Sequence, residues 1–90
     1  MLVTWDDSKA KSNLAKHGVS FEEAQTVLFA SVSVTIEDRR HGEDRFVTIA
    51  FSQKLNLLVV VYAYQLEEEI RIISARKATK KEAKLYEERI

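Results

Sequence analysis

Two hydrophobic patterns organise this chain. Phe21, Ala24, Val27 and Leu28 fall at helical spacing, whereas residues 57–64, Leu-Leu-Val-Val-Val-Tyr-Ala-Tyr, are apolar without interruption. An apolar stripe along one helix face packs on a sheet, and a strand apolar on both faces is central and covered on both sides. Helices laid on a sheet, with 57–64 as its middle strand, are therefore expected.

Polar residues mark the helix ends. Asp6 before residues 7–17, Ser20 before 21–29 and Thr79 before 80–89 carry side-chain oxygens that can accept from the orphan N–H groups of a first turn. Ser20 with Glu23, and Thr79 with Glu82, have the spacing of a capping box, in which each residue bonds the other's backbone. Trp5 with Ala10, and Val19 with Ala24, sit where apolar staples fix the chain's entry into the first two helices. Lys16 and His17 followed by Gly18 suit a helix end, because the cations complement the dipole and glycine tolerates positive φ. The first two helices should form a tight hairpin.

Residues 45–52 and 70–76 read as strands flanking 57–64. The short polar connections 53–56 and 65–69 join all three into an antiparallel meander, to which 32–36 adds an edge. The expected fold is α+β: a short N-terminal strand, a two-helix hairpin, a three- to four-stranded antiparallel sheet and a C-terminal helix, with the helices on one face. That last helix has few apolar residues, chiefly Ala83, Leu85, Tyr86 and Ile90, so it should be loosely held and displaceable by a partner.

Composition narrows the classes. At 90 residues, with 46% hydrophobic and 31% charged, the chain makes one domain, residues 1–90, with a modest core. There is no cysteine, and the two histidines, His17 and His41, are too few for a convincing metal site, so neither metal nor cofactor is expected. The first seven residues lack a basic stretch, and the apolar run 57–64 is too short for a bilayer, which predicts a cytoplasmic protein with no membrane partner.

Charge is distributed unevenly. The chain sums to zero, yet residues 70–84 hold Arg71, Arg76, Lys77, Lys80, Lys81 and Lys84 against Glu82, a local excess of +5. Since nucleic-acid affinity depends on where cations lie, overall neutrality does not exclude RNA or DNA. The plainer alternative for Lys80, Lys81 and Lys84 is a solvated helix face. Period-two alternation places Arg71 with Ile73 and Ala75 on one side of the strand and Arg76 with Ile72 and Ser74 on the other. The two arginines can serve one site only if the strand departs from regular geometry, and the end near Ala75 and Arg76 is the expected place.

Four separated motifs carry a resemblance: Trp5-Asp6; Asn13 with Lys16-His17-Gly18-Val19-Ser20-Phe21-Glu22-Glu23-Ala24; Gly42-Glu43-Asp44-Arg45; and Arg71-Ile72-Ile73-Ser74-Ala75-Arg76-Lys77-Ala78-Thr79 with Glu82 and Tyr86. Together, and in this order, they resemble the BrnT toxin family, also called DUF497. Family members often have Asp-Pro where this chain has Ala30-Ser31, and glycine where it has Ala50; the first bears on a loop and the second on strand packing. The resemblance implies a RelE-like ribonuclease toxin of a type II toxin–antitoxin system. Its implied partners are a BrnA-like antitoxin, RNA in the form of free or ribosome-bound mRNA, and operator DNA through the antitoxin complex alone. The competing reading is a catalytically degenerate module that holds an antitoxin and helps regulate the operon.

RelE-like nucleases as a class cleave without metal, by attack of a ribose 2′-OH on the adjacent phosphate. Such chemistry needs cations around the phosphorane, a base for the hydroxyl and an acid for the leaving oxygen. Arg45, Arg71 and Arg76 are the candidate catalytic cations, and Lys77, Lys80, Lys81, Lys84 and Lys16 the candidate RNA contacts. His17 can give or take a proton near neutral pH, although a histidine in a last helical turn often only caps or packs. Glu43 is a candidate base, with an ion pair to Arg45 as the alternative. Glu22 suits the helix dipole, Tyr86 suits packing, and Trp5 suits a core anchor better than a base stack.

Overall fold

A computed structural model of the chain describes residues 1–39, 42 and 44–90. The elements run β1 (Leu2–Thr4), α1 (Asp7–His17), α2 (Phe21–Val27), β2 (Val34–Asp38), β3 (Arg45–Phe51), β4 (Leu57–Leu66), β5 (Glu69–Lys77) and α3 (Lys80–Arg89).

The caps explain the helix limits. Asp6 Oδ1 accepts from the N–H groups of Ser8 and Lys9 at 2.9 and 3.1 Å, and Gly18, at φ 70°, returns its N–H to the Leu14 carbonyl. Thr79 and Glu82 close a full capping box on α3. The box expected on α2 is only half closed. Ser20 Oγ accepts from the Glu23 N–H at 3.0 Å, but the Glu23 carboxylate accepts instead from Ser52 Oγ at 2.6 Å and Asn56 Nδ2 at 2.9 Å. Burial works against that carboxylate, and the two hydrogen bonds more than offset it, leaving the pKa below its ordinary value. A residue placed to cap its own helix thus fastens α2 to the β3–β4 turn.

The sheet has five strands in the order β1-β5-β4-β3-β2, which extends the expected three or four. β2 to β5 are antiparallel neighbours, whereas β1 lies parallel to β5, making the sheet mixed. Three residues are too few to display a period, and β1 meets a strand at the far end of the chain, so nothing local announces the pairing. Helices cover both faces, not one. Ala50, Leu58, Val60, Tyr62, Ile70, Ile72 and Ala75 join Val19, Phe21, Ala24 and Val27 beneath α1 and α2. The alternate positions Val34, Ile49 and Val59 pack on Tyr86 of α3. β4 is apolar on both sides, and one helical layer would leave half of it in water.

Tyr86 does most to hold α3. It is 4% exposed, its hydroxyl donates to the Val32 carbonyl at 3.1 Å, and its ring meets Phe51 edge-on. On the other face Trp5 stands edge-on to Phe21, which supports its reading as a core anchor.

Asn13 completes the sheet where β1 stops. β1 pairs with β5 as far as Arg71, and four residues later Asn13 takes over the role of a neighbouring strand. Its Oδ1 accepts from the Ala75 N–H at 3.1 Å and its Nδ2 donates to the Ala75 carbonyl at 2.8 Å, with a further bond to the Val19 carbonyl at 2.9 Å. The β5 edge leading to Arg76 is thereby closed by a side chain.

Candidate active site

The two arginines do share a face, through a departure from regular strand geometry that lies earlier than expected. β5 remains a strand through Lys77, and the break lies earlier: Val61 pairs with Ser74 while Tyr62 pairs with Ile72, leaving Ile73 as an extra residue. A β-bulge of this kind shifts the alternation by one position. Arg71 and Arg76 then both turn away from the α1–α2 core, which receives Ile70, Ile72 and Ala75. The signal was present in the sequence as a spacing of three between Ile72 and Ala75. In an unbroken strand Arg76 would share the core face with Ile72, and burying an uncompensated charge there is prohibitive.

A cleft of about 360 Å³ opens on this face beside α3, lined by Asp38, Arg45, Val47, Val59, Val61, Ile73, Ser74, Arg76 and Glu82. Each element contributes through register. Asp38 and Arg45 are cross-strand partners on β2 and β3, Val61 and Ser74 are partners on β4 and β5, and Arg76 lies opposite Val59. Apolar strand residues form the floor, with charged groups around it.

Arg76 is not an isolated cation. Its two terminal nitrogens donate to the two carboxylate oxygens of Glu82, both at 2.7 Å. The same Glu82 accepts from the Thr79 N–H at 2.9 Å as part of the α3 cap. The Arg76 hydrogen bond, followed by the Thr79 N–H, holds the Glu82 carboxyl down to about 2 against the opposing effect of burial. Arg76 is correspondingly raised. With Arg45 and Asp38 on the other wall, the four charged groups of the cleft sum to zero.

The remaining candidates fall in several places. Arg71 belongs to the same face, in register with Ala63 and so one strand away from Arg45, but it does not line the cleft. Its charge is felt weakly at Asp6, whose carboxyl is held down chiefly by the Ser8 hydroxyl. His17 lines a second hollow with Lys9, Ser12, Asn13, Lys16, Ile73 and Ser74. Because Ile73 and Ser74 border both hollows, the two adjoin across the bulge. Lys77 projects from the opposite face, where its charge helps to lower Glu23. Lys80, Lys81 and Lys84 are exposed, and the last two line a separate hollow along α3 with Leu85 and Glu88. Glu43 lies outside the described residues, as does His41.

Asp38, Ser74 and Glu82 escaped the sequence reading as site residues. Asp38 extends β2 two positions beyond its expected end, and Ser74 reaches the cleft only because of the bulge. Glu82 was legible as a cap, and its second role depends on α3 folding back over β5.

The family of the ribonuclease toxin BrnT of type II toxin–antitoxin systems matches residues 5–82. The fold is similar to the 1.1 Å crystal structure of the Brucella abortus ribonuclease toxin BrnT, with a TM-score of 0.72 and 26% identity, covering 89% of this chain and 99% of that one. No curated protein matches the sequence. Among the described residues no helix is long and apolar enough to cross a membrane. A family match running from Trp5 to Glu82 takes in the bulge, the cleft and the α3 cap alike: this chain belongs to the BrnT ribonuclease toxins of type II toxin–antitoxin systems.

Proposed function

We propose that the protein is an endoribonuclease toxin that cleaves RNA in the cleft between β5 and α3, without a metal ion, and so inhibits translation in the cytoplasm. The observation that carries this reading is the bulge at Ile73, which brings Arg76 and Ser74 into the cleft beside α3 that Arg45 also lines. In the reaction the 2′-oxygen of one ribose bonds to the adjacent phosphorus, its proton passes to a base, and the P–O5′ bond breaks as O5′ takes up a proton. Arg45 and Arg76 would bear the charge that builds on the phosphorane, a role suited to a planar group that stays ionised. Asp38, which lines the same cleft, would accept the hydroxyl proton. His17 would reach the leaving oxygen only if the RNA crosses the bulge into its hollow.

A toxin of this class is held by a partner, and we infer an antitoxin of the BrnA kind that covers the cleft, with operator DNA contacted through that complex. The second reading, a degenerate module that retains only antitoxin binding, is favoured by one observation: the cleft's four charges cancel.

Incubating purified protein with free mRNA and with translating ribosomes, in excess EDTA, separates the two. Cleavage that falls roughly 100- to 1,000-fold in Arg45→Ala and Arg76→Lys, with folding checked by circular dichroism, is the expected result. A folded wild type that cuts neither substrate would refute the nuclease reading, and co-purification of that inactive protein with its antitoxin would support the module.

A further inference from the structure

We propose that Glu82 is the positioning residue of this site: it aims the Arg76 guanidinium into the cleft and holds it there. The inference rests on the nuclease reading and concerns how its chief cation is presented.

Three observations carry it. First, the Arg76–Glu82 contact is bidentate, with both N···O distances at 2.7 Å, which fixes the plane of the guanidinium and not merely its distance. One terminal nitrogen also approaches the Lys77 carbonyl at 3.4 Å. These bonds leave Nε and one hydrogen of the other terminal nitrogen for a phosphate. Second, Glu82 is itself anchored, since the Thr79 N–H donates to its carboxylate at 2.9 Å and its own N–H donates to Thr79 Oγ1 at 3.2 Å. Third, the two residues stand on hydrogen-bonded elements, Arg76 on a strand paired to β4 and edged by Asn13, and Glu82 in the first turn of a capped helix.

The alternative role for an acid at this place is to mask the arginine until a ligand displaces it. Displacement would break the pair and the α3 cap together, because one carboxylate serves both. A mask is better built from a group that can swing away. A clamp instead needs this fixed geometry, which spares the arginine the loss of side-chain freedom when a phosphate arrives. It also accounts for the solitary acid in the basic stretch 70–84 lying six residues from Arg76, across the turn into α3.

Steady-state cleavage by wild type, Glu82→Ala, Glu82→Gln and Thr79→Ala tests the proposal. Glu82→Ala should lower kcat about 100-fold with KM little changed, as expected when a catalytic group is misplaced by about 1 Å. Glu82→Gln keeps the cap and one of the two bonds to Arg76, and should recover part of that loss. Thr79→Ala loses the hydroxyl that accepts from the Glu82 N–H but keeps the Thr79 backbone N–H bond to the carboxylate and the Arg76 pair, so its loss in kcat should be much smaller than that of Glu82→Ala at a temperature where both are folded. NMR of the Arg76 Nη–H groups, which make both bonds to Glu82, gives a readout independent of turnover: separate signals from hindered rotation in wild type should merge in Glu82→Ala. A Glu82→Ala variant as active as a cleaving wild type overturns the inference alone, and a faster one assigns Glu82 to masking. A folded wild type that cleaves nothing overturns the nuclease reading instead, while Nη–H signals unchanged by Glu82→Ala refute the clamp by themselves.

Discussion

Removing the Asn13 side chain should open the sheet edge next to the site. In Asn13→Ala three hydrogen bonds disappear, and the Ala75 N–H loses its partner in a position that is 0% exposed. At about 1 kcal/mol net for each bond, the loss is about 3 kcal/mol. A domain of 90 residues has about 5–13 kcal/mol in all, so the variant remains folded but visibly weakened. The melting temperature should fall by about 12–24 °C, at about 4–8 °C per kcal/mol for this size, with the urea midpoint about 3 M lower at an m value near 1 kcal/mol/M. Asn13→Leu is similar in size yet bonds nothing, so it should fall about as far. Hydrogen exchange localises the effect, since the Ala75 amide should lose protection ahead of the β3–β4 ladder. If Asn13→Ala costs less than about 1 kcal/mol with the Ala75 amide still protected, the edge does not depend on this side chain. If Asn13→Leu matches wild type, packing and not hydrogen bonding is what the position requires.

Two further outcomes follow from the backbone and the ion pair. Leu55 holds φ 64° in the β3–β4 turn with its side chain 80% exposed, so Leu55→Gly should relieve more strain than glycine's extra chain entropy costs, for a gain of about 0.5–1 kcal/mol in urea unfolding; a loss would show that the turn is not strained. The folded pKa of Glu82 lies near 2, below the ordinary 4.5, so the pair's stabilisation is complete above about 4.5 and is lost as pH falls toward 2. Between those values wild type should lose more stability than Glu82→Gln in urea midpoints, and parallel curves for the two proteins would remove the pair from the explanation.

Much of the fold was legible because it follows from local chemistry. Asp6, Gly18, Ser20 and Thr79 mark helix ends through bonds made within a turn, and α1 occupies 7–17 as its caps imply. The run from Leu57 announces a central strand because burial on both faces demands apolar side chains at every position. β1, by contrast, joins a partner more than sixty residues away, and β2 sits two residues later than its apolar pattern implied. The half-used box at Ser20 shows the limit of such signals. Glu23 has the right spacing for a cap, yet Ser52 and Asn56 are offered by another part of the fold.

The helix caps, the central strand, the family and the uneven placement of cations along 70–84 could be read from the chain alone, since each of these is written in near neighbours or in residue order. Which cations share a cleft follows from how the elements pack. The bulge at Ile73 arises because Ile70, Ile72 and Ala75 must all reach the core while Arg71 and Arg76 must both stay out of it. α3 then folds back over the free part of that face, bringing Glu82 onto Arg76 and turning a run of positive charge into one oriented pair. Alternation along a strand assigns sides, but a single inserted residue reverses the assignment, and what makes that insertion worthwhile is the packing on the opposite face of the sheet.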